Sequence, residues 1–524
     1  MEFDTLIGTL ARSSAQAVST LARSSDEIER FKDYLYIETD IEKMFISALE
    51  STHDSRAIIF LCGSSGDGKS ELLKRHQAAL GEGFNYHLDA THSFKPDQSA
   101  IQALDDLFDR HRESDKPLVV GINIGMLLNF QNTGSERHQD IKQAIASFVA
   151  GCREMNHFKF INFEDYPKFS LHDGKVDSRF VRELLLRITA ATENNPLYQA
   201  FLEDQPHAQT LRYHNYRLLQ SPAVQEALIR TLLHARLKFD LFFSARALLD
   251  FIQHLITGRA VLFDNVFSAP ENALAASLSS LDPCVLRSKN IDEFLIHQSL
   301  GVADAEFEAF KGSYFEQFGK QELQPLSWIR AFHMLQGEDI GNNYHKSFGF
   351  DFSRPLLDEY IQIWQLHASV ENKRDLRHFY ENQLINGLRK FSNRLAAQHL
   401  KDSTAIYLGK RNSIILSSRA RISMDAINLQ QTAPSQINSF QATIKVGGTS
   451  IKPFPVTLPF LEMIQRVLGG YRPNRHDKST IVILEEVVEE ITRVANQSQK
   501  LYFHKSNSSW SLLVEDGDFL VGTE

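Results

Sequence analysis

The apolar positions of this chain switch between two periods. Ala57-Ile58-Ile59-Phe60-Leu61-Cys62 is a continuous apolar run closed by Gly63, the pattern of a strand buried on both faces. A helical stretch begins at Glu71. Phe84 to Leu88 alternates apolar with polar residues as a short strand, and Ser99 to His111 returns to helical spacing. Pro117 to Asn123 is a second continuous apolar run. A helix is expected from Glu136 to about Cys152, and Phe158 to Asp165 supplies a further strand. Strands alternating with helices predict a parallel sheet covered on both faces. Residues 25–36 and 40–49, ahead of this block, carry apolar residues at helical spacing.

From about residue 175 the pattern is mostly helical. Phe242 to Ile256 reads as a helix opened by a Ser244 N-cap, and helices continue over 263–400. The texture changes again near 403. Strand signals at 405–408, 413–417, 440–446 and 501–504 are interrupted by helices at 457–468 and 482–497, with Gly447-Gly448 as a turn. The expected division is an N-terminal helical segment (1–50), an α/β domain (51–240), a helical lid and helical domain (241–400) and an α+β domain (401–524).

Length supports that division, since 524 residues exceed what one core serves. No apolar run reaches the roughly 18 residues of a membrane span. The first residues lack a basic start and an apolar core, so the expectation is a cytoplasmic protein. Three widely spaced cysteines, Cys62, Cys152 and Cys284, have no zinc-ligand spacing and fit a reducing compartment. The net charge of −9 is uneven: residues 371–480 hold 17 Lys and Arg against 7 Asp and Glu, a balance of +10, and the rest carries −19. Such asymmetry points to a face for nucleic acid or an acidic partner.

Gly63-Ser64-Ser65-Gly66-Asp67-Gly68-Lys69-Ser70 lies between the first strand and its helix and satisfies the phosphate-loop pattern in full. Glycines there let the backbone close on a phosphate, and successive N–H groups at a helix N-terminus cradle an anion. Lys69 is expected to bridge the β- and γ-phosphates of ATP, and Ser70 to offer its hydroxyl to Mg²⁺. Glu71 follows in the first helical turn. Turnover further needs an acid for the metal, a group that orients water and positive charge on the γ-phosphate. If 117–123 is the strand of the metal acid, it ends in uncharged Asn123; Asn162 then falls at the γ-phosphate-sensing position, and Glu164 or Asp165 orients water. If Asp89 holds the metal, Asn123 is the sensor. Arg246, at the start of the lid helix, is the candidate cation. An arginine from 179, 182 or 187, or Lys168 or Lys175, reaching a neighbouring copy would make the chain a homo-oligomer. Tyr34, Leu35, Tyr36 and Ile37, just before the first strand, are candidates for a wall against the base.

In the basic block, Arg472, Arg475 and Lys478 follow Gly469-Gly470 on an expected loop, where they are candidates for DNA phosphates and Tyr471 for a base. No Glu-x-Lys cluster after a strand and no His-rich metal motif marks a nuclease centre.

The phosphate loop with Leu88-Asp89-Ala90-Thr91-His92-Ser93-Phe94, Val120 to Met126 and Ile161-Asn162-Phe163-Glu164-Asp165-Tyr166-Pro167-Lys168-Phe169 resembles DptF, clearest over about residues 30–260. That family belongs to bacterial restriction systems acting on DNA that lacks phosphorothioate modification. The resemblance implies an ATP-binding subunit working with DptG-like and DptH-like partners against such DNA, with Gly63 to Ser70 as the positions carried over. The expected fold is an α/β P-loop NTPase, an AAA+/STAND-like parallel sheet with a helical lid, followed by a helical region and an α+β C-terminal domain.

Overall fold

Strand β1 (Ile58–Gly63) is buried along its whole length. Its side chains alternate between two cores, as a strand with no solvent-facing side requires. Ile58, Phe60 and Cys62 join a core with Leu104, Phe108, Leu127, Phe130 and Ile145. Ile59 and Leu61 join the opposite one, with Ile41, Phe45, Leu72 and Leu73. The structure is a computed structural model describing residues 2–11, 26–80, 83–88, 99–172, 175–204, 210–267, 272–369, 371–433, 435–474, 477–505, 508–515 and 518–523.

With β2 (Asn85–His87), β3 (Leu118–Asn123), β4 (Glu154–Met155) and β5 (Phe158–Asn162), β1 forms a five-stranded sheet of order β2-β3-β1-β5-β4. The β1–β3, β1–β5 and β2–β3 pairings are parallel. The edge pairing of β4 with β5 is antiparallel, so the sheet is mixed where a parallel one was expected. The cause is local: Asn156 takes φ of 54° and closes a two-residue hairpin between Met155 and Phe158. Helices Asp40–Glu50 and Lys69–Leu80 cover one face, and Ala100–Arg112, Ile124–Thr133 and Gln139–Val149 the other.

The connections leaving β1 and β3 therefore depart to opposite faces, although the two strands are neighbours. That reversal opens a crevice at their carboxyl ends, where open α/β sheets take ligands. The register puts Gly63 opposite Asn123 at its rim.

The chain forms two compact units. The first comprises Met1–Phe169, Ser178–Leu233 and Phe242–Ser353, and holds this sheet together with a helical region. In that region Phe294, Phe307, Phe310, Trp328 and Phe332 pack ring against ring. Arg330 is gripped there by Asp264 and Asp282 at 2.6 and 2.7 Å.

The second unit comprises Ser170–Asp177, His234–Leu241 and Arg354–Glu524. It combines helices such as Pro355–Ser369, Leu458–Leu468 and Lys478–Ala495 with an antiparallel sheet. That sheet runs in the order Asp518–Thr523, Ser508–Glu515, Lys500–Lys505, Ile414–Arg419, Ala405–Arg411. An α/β sheet followed by a C-terminal α+β part matches the sequence at that level. Among the described residues no helix is long and apolar enough to cross a membrane.

Candidate functional site

After β1 the chain turns through Ser64–Gly68 and enters a helix at Lys69. Gly66 and Gly68 take φ of 84° and 101°, conformations that a Cβ disfavours. Gly63 is glycine for want of space: a Cβ there would lie 2.7 Å from Asp67 Oδ2 and 2.9 Å from Phe163 Cβ. The Ser64 N–H donates to Asp67 Oδ2 at 2.5 Å, which draws the turn together. Lys69 Nζ donates to the Ser64 carbonyl at 2.6 Å, so the ammonium lies across the loop. Ser70 Oγ donates to the Leu88 carbonyl at 3.5 Å. Glu71 is exposed in the first turn, 3.8 Å from the Arg75 guanidinium. The first-turn N–H groups of Lys69–Leu80 have no acceptor within their helix. Together with Lys69 and Ser70 they form a donor set suited to an oxyanion.

Asp67 is the anomaly in that cradle. Only 5% exposed, it has one carboxylate oxygen with no partner among the described residues. Burial pushes it up to about 6; Lys69, the Ser64 N–H and Lys168 pull the other way, and Glu164 adds to the rise. Burial likewise brings Lys168 down to about 8, against the pull of Asp67, and its Nζ sits 3.9 Å from the Phe180 ring centroid. A carboxylate of the loop and an ammonium thus lie within each other's field. Burial raises the Cys62 thiol well above its usual range, so it is no nucleophile.

Both strands flanking β1 end in asparagine, and both amide oxygens serve as caps. Asn123 Oδ1 accepts the Met126 N–H at 2.7 Å and opens the helix Ile124–Thr133. Asn162, buried and on the other side of β1, accepts the Glu164 N–H at 3.2 Å. Glu164 is exposed. Asp165 is held in a two-pronged ion pair by Arg153, at 2.6 and 2.9 Å. Sequence reading had no signal for Arg153, which meets Asp165 through the β4–β5 hairpin. Asp89 lies outside the described residues. Its chain neighbour Leu88 is the residue whose carbonyl Ser70 contacts.

The helix Ala245–Thr257 brings a second N-terminus to the loop. Ser244 caps it, its Oγ accepting the Ala247 N–H at 3.2 Å. The Arg246 N–H donates to the Gly66 carbonyl at 3.3 Å. A Cβ on Gly66 would lie 3.2 Å from Arg246 Cβ and 3.3 Å from Ser244 Oγ, so the helix start rests directly on the loop. Arg182 pairs with Glu226 at 2.5 and 3.0 Å, and Arg187 binds Glu183 and the Tyr34 carbonyl, so both are engaged within the chain. The Arg75 guanidinium covers the Tyr36 ring at 3.7 Å, which fastens the segment before β1 to the loop's own helix.

In the second unit Arg472 is exposed after the helix Leu458–Leu468, and Lys478 opens the helix Lys478–Ala495. Arg475 lies outside the described residues. One face of Tyr471 is taken by the Arg466 guanidinium at 3.6 Å, and its hydroxyl donates to Asp477 at 2.9 Å. The described residues contain no group of three or more His, Cys, Asp or Glu able to hold a metal ion. No protein-family model matches the chain, and no curated protein or solved structure matches it significantly.

Proposed function

We propose that this chain is a P-loop NTPase subunit that binds ATP with Mg²⁺ and hydrolyses it, in a bacterial restriction complex acting on DNA without phosphorothioate modification. The observation that carries the nucleotide reading is the Gly63–Ser70 loop. A buried strand, two glycines at positive φ and a helix start gather N–H groups, Lys69 and Ser70 at the carboxyl end of β1. The restriction assignment, with DptG-like and DptH-like partners, rests on the resemblance of this region to DptF.

In this reading Lys69 leaves the Ser64 carbonyl to bridge the β- and γ-phosphates. Mg²⁺, when bound, would supply charge neutralisation to the phosphates. Ser70 offers it a hydroxyl, and Asp89 is the acid we assign to it. The support for Asp89 is its place next to Leu88, whose carbonyl is 3.5 Å from Ser70 Oγ. Asn123, opposite Gly63, is then the γ-phosphate sensor through its amide N–H₂, since its oxygen caps a helix. Asn162 stands on the far side of β1, and Asp165 is spent on Arg153, which makes Glu164 the remaining candidate to orient water. Arg246 supplies positive charge from the lid helix seated on Gly66.

One observation favours a second reading, a nucleotide-binding scaffold without turnover: neither strand beside β1 ends in an acid. Two variants separate the readings. For the ATPase, Asp89→Asn abolishes phosphate release and leaves ATP affinity within a few-fold, whereas Lys69→Ala loses both. If wild-type chain, with DNA and partners present, releases phosphate no faster than Lys69→Ala, the hydrolytic reading fails and the scaffold stands.

A further inference from the structure

The antiparallel sheet of the second unit has one face with a composition of its own. Residues paired across an antiparallel ladder share a face, as do residues two apart along a strand. Leu416 pairs with Phe503, and Phe503 with Trp510, so two aromatic side chains lie side by side on adjacent strands. Two residues along, on the same face, stand Ile414 paired with Arg411, and Lys505 paired with Ser508. Two residues the other way, Leu501 pairs with Leu512, and Leu512 with Val521.

The face thus reads as a cationic row, an aromatic row and an aliphatic row. Arg411, Ile414 and Lys505 are exposed, Phe503 and Trp510 are half-buried, and Val521 is 72% exposed. The acids of these strands, Glu515 and Asp518, pair with each other on the opposite face. No acidic side chain of these five strands shares the aromatic face.

We propose that this face binds single-stranded nucleic acid, with bases stacked on Phe503 and Trp510 and the backbone following Arg411 and Lys505. Three properties select this occupant. A pair of aromatic side chains on a rigid sheet suits unstacked bases, whose π faces a duplex hides. The cationic row lies one step from the aromatic row, as a base lies beside its own phosphate. In a chain of net charge −9, a sheet face whose strands place no acid on it, two of them drawn from the basic block, is complementary to a polyanion. The site is separate from Gly63–Ser70 and does not depend on the nucleotide reading.

The test is fluorescence anisotropy of the full chain with a labelled mixed-sequence DNA oligonucleotide, single-stranded and duplex, over a salt series. Single-stranded DNA is expected to bind more tightly than duplex and to quench Trp510 emission. Phe503→Leu and Trp510→Leu should each weaken binding about tenfold. Arg411→Gln with Lys505→Gln, both at exposed positions outside the core, should flatten the log–log salt slope by about 1.4. Lys69→Ala should leave binding unchanged. Absence of single-stranded binding at low salt overturns the proposal, as does binding that none of these four sheet substitutions alters. So does equal binding of duplex that both leucine variants retain. A concentration-dependent dimer dissolved by Val521→Lys, without nucleic-acid binding, assigns the face to a second copy and equally overturns it.

Discussion

Asp67 shows how one residue sets a local cost. Its carboxyl titrates near 6 in the fold against 3.8 for the ordinary side chain, because burial disfavours the charge. Between those values the folded chain holds more proton than the unfolded one, so stability falls as pH rises from about 4 through 6. The neutral amide of Asp67→Asn can still accept the Ser64 N–H. It is expected to raise stability above pH 7 by up to about 3 kcal/mol and to leave it nearly unchanged at pH 4. Thermal melts of both proteins at the two pH values check this; an equal gain at both would refute the burial argument. Gly63→Ala should cost about 1–3 kcal/mol, since a Cβ meets Asp67 Oδ2 at 2.7 Å and Phe163 Cβ at 2.9 Å. Urea unfolding measures it, and a stability equal to wild type would mean that the loop yields freely. Gly63, Lys69 and Ser70 were legible because their spacing is local. The grip of Arg153 on Asp165 was not, since it joins residues from two sides of a hairpin that no periodicity announces.

Among elements, the helix Ala245–Thr257 was half legible. Ser244 announced its start by residue type alone, while its seat on Gly66 is a tertiary contact between residues far apart in the chain. Ser244→Ala removes the cap, at a cost of about 1 kcal/mol, and frays the turn that presents Arg246. The expected result is weaker ATP binding with little change in the pH dependence of stability, read by titration calorimetry and melts. Unchanged ATP affinity in a destabilised variant would detach this helix from the site. The sheet repeats the lesson. Continuous apolar runs identified β1 and β3, and Phe158 to Asp165 marked β5, but which strands neighbour β1 is decided by packing. The two-residue strand β4 is too short to leave a periodic signal. The last strands, Ser508–Glu515 and Asp518–Thr523, escaped for another reason: all of Asp518–Thr523 is exposed, so the usual alternation is missing.

At the scale of the whole molecule, the two proposals fall in two units: a glycine-rich loop at a helix start in the first, and a sheet face with aromatic and cationic rows in the second. The change of texture near 403 made the α+β character of the C-terminal part readable. The discontinuous make-up of the second unit, which takes in 170–177 and 234–241, was not, because a chain's return to an earlier unit leaves no mark on composition. The central claim is that Gly63–Ser70 holds the phosphates of a nucleoside triphosphate. Titration calorimetry of Mg·ATP into the wild-type chain and into Lys69→Ala tests it most directly. The account predicts one saturable site in the wild type and affinity lower by about 10- to 100-fold in the variant, as loss of a charge-assisted contact requires, with both proteins melting alike. Equal affinity in the two proteins, or no binding by the wild type at millimolar Mg·ATP, would contradict it.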